Sequence, residues 1–200
     1  LIADGMSEDN TRELIDSFSI NNPHIRLFDN PNIIVASGLN LLTSQSHAKI
    51  LIRIDGHCVI SPNYVSNCVK HIQNEDVVGV GGPMKSVGSD YVSKTISIAM
   101  SSKFGVGDSI FRTETFGNRF VDTIPFPAYT REIIEKVGPY DEELVRNQDD
   151  EYNYRIRKTG GKILFAEDVQ SVYFSRQSFK QLWKQYFQYG FYKVRVLQKH

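Results

Sequence analysis

Four short apolar runs, separated by segments with helical spacing, occupy the first 81 residues of the chain. The runs are residues 1–3, 25–28, 49–54 and 77–81, and each is followed by an aspartate or a glycine. Between the first two runs, Leu14, Ile15 and Phe18 recur at the three- and four-residue spacing of a helix. A repeated strand–helix–strand pattern of this kind predicts an α/β fold with a mostly parallel, Rossmann-like sheet covered by helices.

After residue 81 the alternation becomes less regular. We expect helices over residues 91–101, 131–137 and 147–159, a mobile loop over 104–118, and strands over 121–124, 126–129, 162–165 and 169–174. The run from Ser178 onward predicts one long helix. These expectations add a small antiparallel part and a long C-terminal helix to one domain of residues 1–175, followed by a separate segment of residues 176–200.

The length, composition and net charge of the chain argue against several classes of protein. A chain of 200 residues that is 40% hydrophobic can bury the core of one domain, and its net charge of zero argues against nucleic acid as a partner. Cys58 and Cys68 match neither a metal motif nor a disulfide framework, which indicates reduced thiols in the cytoplasm. No apolar run reaches the length of a membrane span. The chain begins within an apparent strand and ends within an apparent helix, so we expect it to be a piece of a longer protein.

Acidic residues follow two of the predicted strands directly. Asp4 comes directly after the first strand, where a carboxylate can accept hydrogen bonds from a nucleoside or can simply form an Asp-Gly turn. Asp55-Gly56-His57 follows the third strand, and residues 55 and 57 alternate off the strand end, so both side chains can point the same way. Together they could bind a divalent cation, since a carboxylate suits Mg²⁺ and Mn²⁺ also tolerates imidazole. Glycine at 56 would let a diphosphate approach the backbone. The alternative for His57 is a solvated turn residue, and Ser7 is expected to cap the first helix.

A third group of acidic residues lies at the start of the predicted helix over 147–159. Asp149, Asp150 and Glu151 lie in its first turn, where acids stabilise the helix dipole without any further role. A carboxylate facing a cleft there could also act as a general base. Our central expectation is that Asp4, Asp55 and Asp149, remote in the chain, converge on one cleft.

The C-terminal segment, residues 176–200, mixes aromatic and basic residues and contains no acid. Its aromatic residues include Trp183 and Phe187, and its basic residues include Lys180 and Lys184. This composition fits a helix lying on an anionic membrane surface, and it fits equally a helix that packs its aromatic residues on the domain.

Taken in order, these motifs resemble the family 2 glycosyltransferases of the GT-A fold. The segment Leu1-Ile2-Ala3-Asp4-Gly5-Met6-Ser7-Glu8-Asp9-Asn10-Thr11 is similar to the family's D-G-S-x-D-x-T segment, and Ala36-Ser37-Gly38-Leu39-Asn40 loosely resembles a helix start of that family. Asp55-Gly56-His57 stands in the place of its D-x-D motif, and Gln148-Asp149-Asp150-Glu151-Tyr152-Asn153-Tyr154-Arg155 in the place of E-D-x-x-L-x-x-R. Further segments at 53–57, 145–151 and 185–190 resemble bacterial exopolysaccharide enzymes of the succinoglycan glucosyltransferase type.

The resemblance implies an inverting transfer of a sugar from a nucleotide diphosphate, usually UDP, to a hydroxyl of a saccharide or lipid-linked saccharide. It implies donor binding by Asp4, Asp55 and Gly56, Mg²⁺ or Mn²⁺ held by Asp55 and His57, and Asp149 as catalytic base. Asp150 and Arg131 are expected on the acceptor side. His57 and Gln148 stand where the family has acids. The Q-x-x-R-W motif of processive synthases is absent from the sequence, and for this reason we expect transfer of single sugars.

This interpretation places the protein in the cytoplasm, at the inner face of the cell membrane, in exopolysaccharide or capsule synthesis. Two other functions stay open at this point. One is a non-catalytic domain that binds a nucleotide or a sugar. The other is a sugar-phosphate nucleotidyltransferase, which usually needs a glycine-rich phosphate loop that is not found in this sequence.

Overall fold

The computed structural model describes residues 1–74, 76–107, 109–113 and 116–200. The strands are β1 (Ile2–Asp4), β2 (Leu27–Asp29), β3 (Ile50–Ile52), β4 (Cys58–Ile60), β5 (Gly79–Gly81), β6 (Met84–Val87), β7 (Arg119–Phe120), β8 (Ala128–Thr130), β9 (Ile163–Phe165) and β10 (Ser171–Phe174). The helices are α1 (Thr11–Asn21), α2 (Val35–Ser44), α3 (Tyr64–Asn74), α4 (Tyr91–Met100), α5 (Lys103–Val106), α6 (Ile110–Thr113), α7 (Arg131–Val137), α8 (Gln148–Lys158) and α9 (Phe179–Lys199).

The central sheet is mixed. It has the strand order β3-β8-β5-β9-β7, and β8 lies antiparallel between β3 and β5, so that β3, β5 and β9 share one direction. Two smaller sheets stand beside it, β1 paired parallel with β2, and β4-β10-β6. The α/β class predicted from the sequence is confirmed. Its antiparallel part is larger than predicted, because a strand from late in the chain inserts between two early ones.

Glycines in β5 make room for that insertion. A Cβ atom at Gly79 would lie 2.9 Å from the ring of Tyr129 in β8, and one at Gly81 would lie 3.0 Å from the side chain of Ile124. Real Cβ atoms essentially never show the first distance, and the second is tighter than nearly all real Cβ contacts. The two glycines of β5 are therefore what lets β8 and the segment before it pack against β5.

Several sequence expectations hold and others do not. The helices predicted over 91–101, 131–137 and 147–159 are found within a residue or two of their expected limits. The strand predicted over 121–124 is wrong: the strand there is β7, and the chain leaves the sheet after Val121, whose amide still donates to Ile163. Strands β4 and β6 were not predicted. The expected loop over 104–118 contains the short helices α5 and α6, and its residues 108, 114 and 115 lie outside the described residues.

The buried core lies on both sides of the central sheet. One cluster includes Val80, Ala128 and Leu164 with residues of α3 and α4, and the other includes Tyr152 and Ile156 of α8 with Ile163. The second cluster anchors α8 firmly, since Tyr152 stacks on Tyr140 with ring centroids 3.9 Å apart. The first turn of α8 is therefore held at a defined place beside the carboxyl end of β3. In the part of the chain that is described, no helix is both long and apolar enough to cross a membrane.

Candidate functional site

A cavity of about 540 Å³ opens at the carboxyl end of β3. Arg53, Asp55 and His57 line it from the segment after β3, and residues 146–150 line it from the start of α8. Further parts of the wall come from α6, residues 123–126, the end of β10 and α9. Helix α9 contributes Gln185, Tyr186, Tyr189, Gly190 and Lys193. The C-terminal helix thus contributes to the wall of this cavity. The volume of the cavity falls in the range of small-molecule sites in proteins.

Asp55 is held by Arg53. The Arg53 Nε donates to Asp55 Oδ1 at 2.8 Å and Nη2 donates to Oδ2 at 3.0 Å, so the carboxylate is bound in a bidentate manner. Burial would raise the pKa of Asp55, but the charge and hydrogen bonds of Arg53 outweigh it and the pKa lies below its ordinary value. Asp55 is therefore ionised at neutral pH.

His57 contacts the ring of Tyr173 edge-on, with ring centroids 5.1 Å apart. Partial desolvation lowers its pKa, and the nearby charges of Arg176, Arg53 and Arg146 lower it further against the attraction of Asp55. His57 is therefore neutral at pH 7 and keeps a lone pair for a ligand. Gly56 between them lies outside the cavity lining, and no heavy atom stands within 4 Å of where its Cβ would be.

Asp149 enters the cavity from the first turn of α8. Its Oδ1 accepts the amide of Asp150 at 3.0 Å, and the side chain of Asp150 pairs with Lys193 of α9 at 2.6 Å. The residue before the helix, Asn147, is left-handed with φ of 62° and donates from its side chain to the carbonyl of Tyr189 at 3.1 Å. Glu151, in the same turn, is buried and turned away to Arg155 at 2.6 Å. The turn therefore brings Asp149 and Asp150 to the cavity, where Asp150 is paired with α9, and directs Glu151 into the core.

Besides Gly56, two predicted site residues lie outside the main cavity. Asp4 is not among the residues that line the cavity, and its buried carboxylate accepts from Ser7 and pairs with Arg12 at 2.7 Å. Those hydrogen bonds lower the pKa of Asp4, chiefly through Ser7. Ser7 thus holds Asp4 and does not cap α1, which begins at Thr11. The structure brings Asp55 and Asp149 together but leaves Asp4 at the edge of β1.

Arg131, expected on the acceptor side, lines a second cavity of about 370 Å³ behind α8. Its guanidinium donates to the carbonyl oxygens of Ala48 and Ser46, both at 2.7 Å, and so holds the connection between α2 and β3. Asp150, the other residue expected there, does line the larger cavity.

The main cavity is also lined by three arginines that were not predicted as site residues from the sequence. Arg112 comes from α6, Arg146 from the segment before α8 and Arg176 from the segment after β10. Arg112 lies against the rings of Phe111 and Tyr173 and donates to Ser86 at 3.3 Å. Arg146 lies within the segment 145–151 that carries the resemblance, whereas Arg112 and Arg176 stand in no quoted motif, and only the fold brings the three together.

The chemistry of Asp55 and His57 suits a divalent cation of the Mg²⁺ or Mn²⁺ type. One ionised carboxylate and one neutral imidazole are acceptable ligands, and such cations usually take further oxygens from water and substrate phosphates. The described residues contain no group of three or more His, Cys, Asp or Glu placed to hold a metal on their own. A cation here would therefore depend on the substrate for part of its coordination.

Comparison with known proteins gives a consistent result. The family model of glycosyl transferase family 2 matches residues 1–138. The succinoglycan biosynthesis protein ExoA of Rhizobium meliloti (strain 1021) is 31% identical over 202 residues, which is all of this chain and 61% of that protein. The Methanococcus voltae dolichyl N-acetyl-alpha-D-glucosaminyl phosphate 3-beta-D-2,3-diacetamido-2,3-dideoxy-beta-D-glucuronosyltransferase is 24% identical over all of this chain and 64% of its own length. The chain thus spans under two thirds of these relatives.

A solved structure shares the fold. The crystal structure of GalNAc-T7 with UDP, GalNAc and Mn²⁺ superimposes with a TM-score of 0.66 at 15% identity, covering 87% of this chain and 37% of that one. This likeness confirms the predicted GT-A architecture.

Proposed function

Because the chain belongs to glycosyl transferase family 2, we propose that it transfers a sugar from a nucleotide diphosphate, UDP in the first instance, to a hydroxyl of a saccharide acceptor with inversion. The observation that carries this proposal is that Asp55, His57 and Asp149 line one cavity although they are far apart in the chain. In a direct displacement, a group that accepts a proton and a group that stabilises a leaving diphosphate must flank the same sugar.

The donor end of the cavity is the one at Asp55 and His57. These two residues would hold Mg²⁺ or Mn²⁺, which supplies positive charge to the departing diphosphate. Arg146 and Arg176, whose charges act on His57, stabilise the same phosphates. Gly56 lies outside the cavity lining, so a phosphate that contacts its backbone would have to extend beyond the cavity into the open space beside this glycine. For Asp4 to contact the nucleoside, its pair with Arg12 must be shared or displaced.

Asp149 is the proposed base at the other end. The amide of Asp150 holds its Oδ1, which orients the carboxylate and leaves its other oxygen to take the proton of the acceptor hydroxyl. Asp150 lies beside it on the acceptor side, tied to Lys193 of α9.

The acceptor is a lipid-linked saccharide in this proposal, and the setting is exopolysaccharide synthesis at the inner face of the cell membrane. The name of the Rhizobium meliloti relative supports a role in exopolysaccharide synthesis, and that of the Methanococcus voltae relative supports a lipid-linked acceptor. Helix α9 supports association with the membrane, because Trp183, Phe187 and Phe191 lie exposed four residues apart on one face of it. We propose transfer of one sugar per acceptor, since the sequence has no Q-x-x-R-W motif.

A screen of nucleotide sugars tests the proposal. The chain is incubated with UDP-sugars and a short saccharide acceptor, and mass spectrometry detects the extended product or the release of UDP. Release of UDP with Mn²⁺ that is lost in Asp149→Asn supports a transferase. Binding of UDP without any turnover, in the full-length protein as well, contradicts it.

The bidentate pair of Arg53 with Asp55 favours one rival function, a nucleotide-binding domain without catalysis. Both carboxylate oxygens already accept hydrogen bonds, so a cation must share them with Arg53. Calorimetry with UDP separates the two functions: binding that strengthens with Mn²⁺ supports the transferase, whereas binding that Mn²⁺ does not affect supports the binding domain.

A further inference from the structure

The cavity at the carboxyl end of β3 carries an excess of positive charge. Among the described residues that line it, the cations outnumber the carboxylates five to three; they are Arg53, Arg112, Arg146, Arg176 and Lys193 against Asp55, Asp149 and Asp150. The diphosphate of a nucleotide sugar brings two negative charges, which would cancel this excess. A divalent cation bound with the donor would restore it, so the loaded site retains a place for a second anion.

The ion pairs show where the uncompensated charge lies. Asp55 is taken by Arg53 and Asp150 by Lys193. Within the described chain, no carboxylate forms an ion pair with Arg112, Arg146 or Arg176, and Asp149 is the one acid of the cavity without an ion pair. A partly buried guanidinium without a counter-charge is costly to the fold unless a ligand supplies the charge.

These three arginines serve two ends of the cavity. Arg146 and Arg176 act electrostatically on His57, at the donor end. Arg112 lies over the Tyr173 ring, with its guanidinium 5.4 Å from the ring centroid, and Asp149 is the carboxylate of the cavity whose charge acts on it. Tyr173 therefore contacts both His57, at the proposed cation site, and the guanidinium of Arg112.

Arg112 is also preorganised to bind an anion. The rings of Phe111 and Tyr173 and the hydroxyl of Ser86 fix its guanidinium, while its remaining N–H groups have no acidic partner in the described residues. A planar guanidinium fixed in this way matches the geometry of phosphate oxygens.

We infer that Arg112 binds a phosphate group carried by the acceptor, next to Asp149, while the donor diphosphate lies at Asp55, His57, Arg146 and Arg176. This inference rests on the proposed function, because it requires a donor site at one end of the cavity and an acceptor site at the other. It assigns the acceptor to the class of phosphorylated compounds, such as a lipid phosphate or diphosphate that bears a sugar. A phosphate anchored at Arg112 places the rest of the acceptor beside the base.

The test measures binding of farnesyl phosphate to the chain after saturation with UDP and Mn²⁺, by calorimetry. Inorganic phosphate and farnesol, measured in the same way, distinguish a free phosphate and a bare lipid from a lipid phosphate. We expect farnesyl phosphate to bind, Arg112→Gln to weaken that binding by about tenfold or more, and the affinity for UDP to stay within about twofold. Binding of inorganic phosphate that is also lost in Arg112→Gln supports the anion site.

Matched variants keep the result interpretable. Arg195→Gln removes an arginine from α9 that does not line the cavity, and it should leave binding of farnesyl phosphate unchanged. Arg112→Lys keeps the charge without the planar fork, and it should retain part of the binding, which guards against loss through misfolding alone. Thermal unfolding followed by circular dichroism checks that each variant is folded.

Three outcomes overturn the inference. They are equal binding of farnesol and farnesyl phosphate, unchanged binding of farnesyl phosphate in Arg112→Gln, and a loss of UDP affinity in Arg112→Gln, which would assign Arg112 to the donor site. Failure of the wild-type chain and the full-length protein to bind UDP at all, with or without Mn²⁺, contradicts the proposed function instead.

Discussion

Arg53 donates to both carboxylate oxygens of Asp55 at the carboxyl end of β3, over 2.8 and 3.0 Å. The pair forms one residue before the turn that carries His57, so it sets both the charge and the direction of the proposed cation ligand. It also ties the donor end of the cavity to the central sheet, since the amide of Arg53 donates to the carbonyl of Pro127 before β8. Stability and donor binding are therefore linked through this one pair.

Arg53→Gln should lower the free energy of unfolding by about 2–3 kcal/mol at pH 7, because it leaves the Asp55 carboxylate partly buried and unpaired. Since the pKa of Asp55 is lowered in the folded protein, the pair stabilises the fold above the ordinary aspartate pKa, and this contribution is lost as the pH falls through the folded-state pKa. Urea unfolding at pH 7 and near pH 3 measures both values. Arg157→Gln, which breaks an exposed pair with Asp122, is the control and should cost under about 1 kcal/mol.

Asp149→Asn should reduce turnover by at least about 10²-fold while the affinity for UDP survives, because the amide cannot accept the acceptor's proton. Asp150→Asn is the matched variant, one residue away in the same helical turn, and should lose much less activity because it removes an ion pair with Lys193 rather than the base. Steady-state kinetics with the best donor measures both. Equal losses of turnover in the two variants would contradict the proposal that Asp149 is the catalytic base.

His57→Ala should abolish the increase in UDP affinity that Mn²⁺ causes and leave metal-free UDP binding nearly unchanged. Because the pKa of His57 lies below its ordinary value, the ring is neutral at pH 7 and can bind a metal, and it becomes protonated only at lower pH. Metal-dependent binding in the wild type should therefore persist from pH 8 to pH 7 and fall as the solution is acidified further. Calorimetry across this range measures it, and a wild-type response that His57→Ala reproduces would argue against His57 as a ligand.

Asn147→Ala should destabilise the protein by about 1–2 kcal/mol, since alanine is strained in the left-handed conformation and loses the bond to the Tyr189 carbonyl. Asn147→Gly should cost less, because glycine adopts a φ of 62° freely and only the bond is lost. Urea unfolding ranks the two variants. If glycine is as costly as alanine, the side-chain bond to α9 dominates and backbone strain does not.

Helix α9 can be tested with the intrinsic fluorescence of the protein, because Trp183 is its single tryptophan and 68% of its surface is exposed. Its emission should shift to shorter wavelength on addition of anionic lipid vesicles and not of zwitterionic ones. Phe187→Ser, one turn away on the same face, should weaken vesicle binding, whereas Val65→Ser on α3 should not. Emission that anionic vesicles leave unchanged would contradict the proposed contact with a membrane.

Sequence periodicity was sufficient for the elements whose signals are local. Helices α4, α7 and α8 follow from spacing and end signals within their own segments, and the parallel pair of β1 with β2 follows from the short crossover helix between them. The strands β4 and β6 were missed, since three or four residues next to a turn carry little pattern of their own. The place of β8 between β3 and β5 depends on Gly79 and Gly81, whose missing side chains matter only when Tyr129 and Ile124 come against them.

The candidate site divides in the same way. By itself the sequence determined that Asp55, His57 and Asp149 are chemically suitable and stand after a strand and at a helix start, since these are local properties. Only the tertiary structure decided that Asp55 and Asp149 share a cavity, that Asp4 and Arg131 are committed to other partners, and that Arg112, Arg146 and Arg176 add positive charge to it. The physical reason is that charge balance and pairing depend on distances across the folded chain, which the spacing of residues along the sequence does not contain.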